Sequence, residues 1–258
     1  MNKRPVLWLL GIGTPALLLA AWWLASAGST DTFFPPLADI VDRFRALWLF
    51  DHFGSDVLVS LRNLVLGYAI AALAAVAVGF VTALAAPVRW AVDPLIHFLR
   101  GIPPVALVPI FISLMGFGPE MRVASIALAA FFPTFIATVD GLRAVDRGLL
   151  DVAQVYRLSR RDRVVAVLLP AASPQIFSGL QVSLQTAFVV MIASEMLGPS
   201  RGIGAMTLLA QQSFMISDMW SGILLLGVIG FAANFLFDLV RRKVLAWYIG
   251  SRRLARAS

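Results

Sequence analysis

The fold is decided first by residues 57–86, which read VLVSLRNLVLGYAIAALAAVAVGFVTALAA. The stretch contains one charged residue, Arg62, and is longer than the ~20 apolar residues that a helix needs to cross a bilayer. It is also rich in small residues, among them Gly67, Ala75 and Gly79. Small residues let helix backbones approach closely, so we expect this helix to pack against protein rather than lipid.

The composition of the whole chain also indicates a membrane protein. Of its 258 residues, 60% are hydrophobic and 14% are charged, whereas an average soluble domain has about 25% charged residues. So few charges cannot cover the exterior of a soluble domain of this length. The net charge of +7 would also suit a nucleic-acid-binding protein, but in a chain this apolar we expect the bases to mark cytoplasmic loops. We therefore predict an integral membrane protein that contacts lipid and binds no nucleic acid.

The sequence excludes several kinds of site. It has no cysteine, so disulfides, thiolate nucleophiles and cysteine metal sites are impossible. Its two histidines, His52 and His97, lie far apart without a pair of carboxylates at ligand spacing, so we expect no metal. The phosphate-binding pattern G-x-x-x-x-G-K-[ST] does not occur. We therefore expect neither a cofactor nor an enzymatic activity in this chain.

Six apolar segments are predicted to cross the membrane, forming one transmembrane domain over residues 1–258. Their approximate bounds are 6–27, 57–86, 94–115, 121–140, 175–197 and 220–240. A cleaved signal peptide is the alternative for the first, because Lys3 and Arg4 precede it. Six spans place both termini on one side, and most of the 21 basic residues, including those after residue 251, are then cytoplasmic, as the positive-inside rule requires. The predicted fold class is an all-α integral membrane protein with both termini in the cytoplasm.

Two of the connecting segments have their own character. Apolar residues recur at helical spacing between Leu37 and Trp48, after Pro35-Pro36, and charged residues lie between them. This pattern predicts an amphipathic helix that lies at a membrane interface without crossing it. Residues 198–219 are predicted to form a moderately polar loop.

Residues 141–174 form a polar insert between the fourth and fifth predicted spans, and they are too charged to cross the membrane. Asp146 is expected to begin a short helix that continues to Leu158 and is mostly apolar. A second apolar stretch, residues 164–169, follows an arginine cluster and is expected to stop before Pro170. Two short helices with apolar faces outside the membrane should bind a partner surface. The alternative is a solvated basic loop that sets the topology.

The insert resembles the EAA loop of permease subunits of ABC importers. That loop has the pattern Glu-Ala-Ala, then a glycine, then Ile/Leu-Pro; the matching residues here are Asp151-Val152-Ala153, Tyr156-Arg157-Leu158-Ser159 and Leu168-Leu169-Pro170. An ordered set of further motifs, covering nearly the whole chain, is similar to the nitrate, sulfonate and taurine group of these permeases. They are Phe34-Pro35-Pro36, Leu99-Arg100-Gly101-Ile102-Pro103-Pro104, Phe131-Phe132-Pro133, Glu195-Met196 and Gly202-Ile203-Gly204.

The resemblance implies a type I ABC importer permease and a set of partners. Two cytoplasmic ATPase subunits would bind ATP and Mg, a second copy of this permease would complete a homodimer, and an extracytoplasmic solute-binding protein would dock outside. The protein would lie in the bacterial inner (plasma) membrane and carry a small anion such as a sulfonate, taurine or nitrate. The alternatives are a permease for a different small solute, or a secondary transporter, for which the sequence shows no internal repeat.

The resemblance also implies that the insert forms a coupling helix that fits a groove on the ATPase. The residues placed in this contact are Asp151, Val152, Ala153, Tyr156, Arg157, Ser159, Arg160, Arg161 and Pro170. Two of them depart from the family pattern. Its glutamate is Asp151 here, a mild change, but its glycine falls on Arg157, where a left-handed turn costs a non-glycine residue about 1–2 kcal/mol. We therefore expect either that the turn moves to another residue or that the helix continues.

The third predicted span carries candidates for a translocation path or gate. Arg100 lies in it beside Pro103 and Pro104, and each proline should kink the helix. Within a bilayer such a break is tolerated where it is buried in protein or lines a cavity. Arg100 could instead be a basic residue that only sets the topology.

The fifth predicted span carries three further candidates. Gln181 and Gln185 lie one turn apart on the same helix face, so they could line the path or form hydrogen bonds with neighbouring helices. Glu195 near the end of this span could act in the path or gate. Its alternative is a helix-end carboxylate that reaches interfacial water or a basic partner such as Arg100 or Arg122.

Overall fold

The computed structural model describes residues 4–198, 201–248 and 250, so Lys3 and the bases after residue 251 lie outside the described residues. Within the described ranges the regular elements are all helices, which confirms the predicted all-α fold class. In chain order they are α1 (Arg4–Ser26), α2 (Leu37–Ala46), α3 (Leu58–Leu84), α4 (Ala86–Leu99), α5 (Val108–Met115), α6 (Pro119–Arg143), α7 (Arg147–Val155), α8 (Arg160–Met196), α9 (Ile203–Gln212) and α10 (Ile216–Val244).

Four helices in the described residues are long and apolar enough to cross a membrane. Their bounds, which include the short helical turn before α3, are Phe53–Leu84, Pro119–Arg143, Arg160–Met196 and Ile216–Val244. They overlap the predicted spans 57–86, 121–140, 175–197 and 220–240. Each of these four predicted spans therefore coincides with a continuous helix that is a candidate for crossing the membrane.

The other two predicted spans contain shorter apolar helices. In α1 the apolar helix covers Gly13–Ser26, and the predicted span 94–115 is divided between α4 and a second helical stretch, Pro104–Met115. The chain leaves the helix at residues 100–103. Proline lacks the N–H that a helix needs and clashes with the preceding turn, so the prolines break this segment instead of only kinking it. The count of six spans stays a prediction.

The core of the fold is the contact of α3, α6 and α8. Gly67, Ala71, Ala75 and Gly79 are all buried and recur every four residues along one face of α3. A Cβ added at Gly67 would lie 2.7 Å from the Cβ of Ile126 on α6. The expectation that the 57–86 helix packs against protein is therefore confirmed.

The same close approach joins α6 to α8. A Cβ added at Gly179 on α8 would lie 2.3 Å from the Cβ of Ala137 and 2.9 Å from the carbonyl oxygen of Pro133. Next to this contact, Ser183 and Thr134 are fully buried and their hydroxyls lie 2.7 Å apart in a hydrogen bond. Small and hydroxyl residues thus allow the three backbones to lie close together, and the two hydroxyls satisfy each other.

The segment after Pro35-Pro36 forms the predicted amphipathic helix, α2. Leu37 and Ile40 are buried, and Arg43 forms an ion pair with Asp218 at the beginning of α10. Residues 47–57 continue as wider helical turns into α3, with Trp48 buried. The helix lies against α10 as a short separate element.

The structure corrects two predictions about connecting segments. Residues 198–219 contain a helix, α9, where a loop was predicted, because buried side chains of other helices accept its first N–H groups (below). The apolar stretch 164–169 does not stop before Pro170, since one helix runs from Arg160 to Met196. Residues 163–168 form a wider turn, in which the N–H of Leu169 donates to Val164 five residues earlier. This widening reduces the clash that a proline ring makes with a regular helical turn.

We expect Gly179→Ala to lower the free energy of unfolding by about 1–3 kcal/mol, because the added methyl group would overlap α6. The midpoint of thermal unfolding of the detergent-purified protein measures this change. Gly227→Ala on α10 is the matched control, since nothing lies within 4 Å of a Cβ at that position. Equal midpoints for the two variants would contradict the packing described.

Candidate functional site

The insert begins with a capped helix, α7. The Asp146 carboxylate accepts a hydrogen bond from the N–H of Gly148 at 2.6 Å, which confirms that Asp146 begins this helix. A carboxylate here satisfies an N–H group that has no partner inside the helix and faces the positive end of the helix dipole. The position at which this short helix begins is therefore set by a residue of its own sequence, Asp146.

The end of α7 differs from both predicted alternatives. Arg157 itself takes the left-handed conformation, with φ of 52°, so the turn neither moves nor disappears. The N–H of Leu158 donates to Ala153 at 3.0 Å and the N–H of Arg157 donates to Gln154 at 2.9 Å. These two bonds form a Schellman motif, which usually has glycine at the left-handed position. The backbone hydrogen bonds offset the cost of placing a side chain there.

The second helix of the insert begins at Ser159. Its hydroxyl accepts a hydrogen bond from the N–H of Asp162 at 3.1 Å and donates to the Asp162 carboxylate at 2.6 Å. Ser159 is thus the N-cap of α8. Arg160 and Arg161 follow it and are exposed, as is Asp151 on α7. These charged residues give the insert a mostly basic surface.

The exposed face of α7 is apolar. Leu149, Val152 and Tyr156 lie at helical spacing, and Val155 beside them is 78% exposed. Ala153 differs from its neighbours because it is only 3% exposed. Of the residues matched to the family contact, Val152 and Tyr156 therefore present apolar surface, and Ala153 supports the helix from inside.

The apolar face of α7 forms one wall of a groove of about 670 Å³. Pro170, in the first half of α8, lies in the groove, and the opposite side carries Trp247 and Tyr248. The rings of this aromatic pair lie 5.8 Å apart in an edge-on arrangement. Sequence reasoning missed the pair, because only the fold brings the residues after α10 to the insert. We call this cavity the insert groove.

The residues predicted for a path or gate lie in different places. Arg100 and Pro103 are exposed at the break between α4 and α5, and Pro104 begins the turn that leads to α5. On α8, Gln185 is exposed, whereas the Gln181 amide donates to Asn234 at 3.1 Å. Hydrogen bonding between helices is therefore the role that the geometry favours for Gln181.

The Gln181 cluster extends to the end of α10. Arg241 donates to the Gln181 side chain at 3.2 Å and also pairs with Asp238. Arg242 binds the same carboxylate. Asn234 and Asp238, which lie one helical turn apart, thus form structural bonds at the end of α10 that is nearer the insert.

Glu195 lies at the opposite end of α8 and is fully buried. Its carboxylate accepts a hydrogen bond from the N–H of Gly204 at 2.9 Å. Ser60 also bonds to it, and Arg122 is the nearby basic residue. The Arg122 guanidinium donates a hydrogen bond to the carbonyl oxygen of Arg201 at 2.9 Å. A role of Glu195 in a path or gate stays a prediction.

Three side chains from two helices, Phe53–Leu84 and α8, cap the N-terminus of α9. The N–H of Gly202 donates to Asp56 at 2.8 Å, the N–H of Ile203 donates to Ser60 at 3.0 Å, and that of Gly204 donates to Glu195. Asp56 also receives bonds from His52 and Ser55. The sequence carried no local signal for this cluster, because Asp56 and Ser60 lie far from α9 in the chain.

Glycine is required at position 202. Gly202 has φ of 134°, and a Cβ there would lie 2.4 Å from the carboxylate carbon of Glu195. Gly204 leaves space for the same carboxylate, since its Cβ would lie 3.1 Å from the Cβ of Glu195. The Gly202-Ile203-Gly204 motif therefore lets a buried carboxylate reach the backbone of α9.

We expect Arg157→Gly to stabilise the turn after α7 by about 1 kcal/mol, because glycine takes the left-handed conformation without steric cost. Hydrogen exchange of the Leu158 amide measures this effect, with protection rising several-fold. Arg157→Ala is the control, since it removes the charge and keeps the steric cost of a side chain in the left-handed conformation. Equal protection in the two variants would show that the guanidinium, and not the backbone conformation, sets the stability of the turn.

A family model described as "Binding-protein-dependent transport system inner membrane component" matches residues 67–246 of this chain. The match begins in α3 and extends past α10 to the residues beside the insert groove. It therefore includes both the insert and the capped N-terminus of α9.

Several curated proteins are similar over most of the chain. The putative aliphatic sulfonates transport permease of Bacillus subtilis (strain 168) is 31% identical over 242 residues, 93% of this chain and 88% of that protein. The taurine transport system permease of Escherichia coli (strain K12) is 27% identical over 250 residues, 93% and 90% of the two chains. The nitrate import permease of Leptolyngbya laminosa is 31% identical over 190 residues, 74% and 68% of the two chains.

Solved structures share the fold. An inward-facing form of the MetNI methionine ABC transporter has a chain with a TM-score of 0.63 and 18% identity, covering 73% of this chain and 94% of that one. The crystal structure of an amino acid ABC transporter with histidines has a chain with a TM-score of 0.56 and 14% identity. The match covers 81% of this chain and 95% of that one. Together with the family match, these similarities show that the chain is a multi-pass inner-membrane permease subunit of an ABC transporter, and that it belongs to the binding-protein-dependent transport system inner membrane component family.

Proposed function

We propose that this chain forms the translocation path of an ATP-driven importer and binds its ATPase through the insert. The observation that carries the proposal is the capped helix α7, which exposes an apolar face outside the membrane-spanning helices. An apolar face in water favours a protein partner, because burying it removes apolar surface from water. Arginines surround it and set the charge that the partner must complement.

In this proposal the ATPase contacts Val152, Tyr156 and the neighbouring bases Arg160 and Arg161. The surface also includes the exposed Asp151. The turn between the two insert helices is formed at Arg157, and the second of these helices is capped by Ser159. Ala153 and Pro170 line the insert groove from inside. ATP and Mg would bind to the partner subunits, with two ATPases serving two permeases.

The insert end of the bundle is cytoplasmic in this proposal, since the positive-inside rule places loops rich in arginine there. Both termini then lie in the cytoplasm. A second copy of the chain and lipid would cover the apolar faces of α1 and α10, where Leu24 and Phe231 are largely exposed. The homodimer would place the path between the two copies.

We propose a small anion as the solute, such as a sulfonate, taurine or nitrate. The support is the similarity to permeases named for aliphatic sulfonates, taurine and nitrate. Arg100, which is exposed at the break between α4 and α5, offers a positive charge that suits an anion. Gln185 is exposed and can line the same path, with Pro103 and Pro104 keeping the helix open.

We expect Val152→Asp to reduce ATPase activity of the assembled complex by about ten-fold or more, because a charge would replace apolar surface at the centre of the contact. The chain is expressed with its genomic neighbours, and co-purification of the ATPase and its activity in proteoliposomes are measured. Val165→Asp is the matched control, since Val165 is also exposed in the insert but does not line the groove.

Two results would count against the proposal. If the wild-type chain never recruits an ATPase, the importer assignment fails. If Val152→Asp and Val165→Asp keep the same coupled activity, the partner does not bind the face of α7.

A further inference from the structure

A second cleft lies at the end of the bundle opposite the insert. It is formed by α2 and by the turn that joins α9 to α10, and its volume is about 620 Å³. The cleft is lined by two acids of α2, Asp39 and Asp42, and by the Arg43–Asp218 ion pair. The exposed residues Phe214 and Met215 also line it. We call it the α2 cleft.

Phe214 occupies a position that usually belongs to glycine. Its φ is 57°, the N–H of Met215 donates to Ala210 at 2.9 Å, and the N–H of Phe214 donates to Gln211 at 3.2 Å. These bonds make a Schellman motif, and Phe214 is its left-handed residue. A bulky residue in this conformation is an outlier and needs an explanation.

Packing inside the chain does not explain the phenylalanine, since the residue is 72% exposed. The fold therefore bears the cost of the conformation and buries little of the ring in return. Strained positions that are held by their surroundings cluster at functional sites. Among the described residues the other non-glycine residue with positive φ is Arg157, which lies in the surface proposed for the ATPase.

The charge of the α2 cleft is acidic. Arg43 and Asp218 neutralise each other, with a second hydrogen bond from Nη2 of Arg43 to Oδ2 of Asp218 at 2.7 Å. Because Asp218 accepts these bonds, the pKa of the Arg43 guanidinium is raised. The net charge of the cleft then comes from Asp39 and Asp42, so a partner with a basic surface complements it.

We propose that the α2 cleft is the docking surface for the solute-binding protein, which would place a basic rim against Asp39 and Asp42 and receive Phe214 in an apolar pocket. The inference rests on the proposed function, since it needs an importer whose arginine-rich insert faces the cytoplasm and whose opposite end faces outward. Aromatic side chains, including phenylalanine, are enriched at protein interfaces. An anchor that fills a pocket of the partner can dominate the binding energy.

The test uses the permease in complex with its ATPase, reconstituted in lipid nanodiscs. The solute-binding protein encoded beside it is labelled with a fluorophore and titrated, and its Kd is measured by thermophoresis. We expect Phe214→Gly to weaken binding by ten-fold or more and not to lower the unfolding midpoint, because glycine suits the left-handed position. Asp42→Lys should weaken binding at low salt by a similar factor, with a smaller difference at high salt.

Phe50→Ala is the matched control, since Phe50 lies at the same end, is 78% exposed and does not line the cleft. It should leave the Kd within two-fold of wild type. If the Kd values of Phe214→Gly and Asp42→Lys also stay within two-fold of wild type while the complex retains its ATPase, the docking surface lies elsewhere. The proposed function then stands. A lower unfolding midpoint for Phe214→Gly would assign the residue a structural role and overturn the inference. If the wild-type chain recruits no ATPase, the proposed function fails and this inference fails with it.

Discussion

At Gly67, Gly79 and Gly179 the backbones of α3, α6 and α8 lie so close together that a methyl group does not fit between them. In a bilayer the surrounding lipid is as apolar as the side chains, so close van der Waals packing is a main source of helix association. The contact between α6 and α8 also brings together the two ends of the insert that joins them. At the other end, α3 and α8 carry Ser60 and Glu195 to the N-terminus of α9. One packing arrangement thus positions both ends of the molecule.

Each end presents a short helix that stops at a left-handed residue other than glycine. After α7 this residue is Arg157, and after α9 it is Phe214. Both turns have the same pair of backbone hydrogen bonds, and each is followed by an apolar residue, Leu158 or Met215. A left-handed non-glycine residue carries a steric cost, and in both places the side chain remains exposed. This shared geometry supports the proposal that partners bind at both ends of the permease.

The long helices could be predicted from the sequence because hydropathy depends on the composition of each segment alone. The beginning of α7 could be predicted from a local signal as well, since Asp146 caps a helix that starts at the next residue. Features that depend on distant residues could not be predicted. The helix α9 is stabilised by acceptors on other segments, such as Asp56, and the burial of Ala153 depends on how the insert folds back on itself. The turn at Arg157 was predicted wrongly because the backbone bonds of the Schellman motif outweigh the preference of the residue.

The central claim is that the two ends of this permease bind different partners, with the ATPase at the insert. Because the chain contains no cysteine, a single photo-reactive residue or thiol probe can be placed without a competing native thiol. The direct measurement is photo-crosslinking in the assembled complex, with the reactive residue in place of Val155 or, separately, in place of Phe214, and identification of each adduct by mass spectrometry. The account predicts an ATPase adduct from position 155 and none from position 214. An ATPase adduct from position 214, or its absence at position 155 in a complex that hydrolyses ATP, would contradict it.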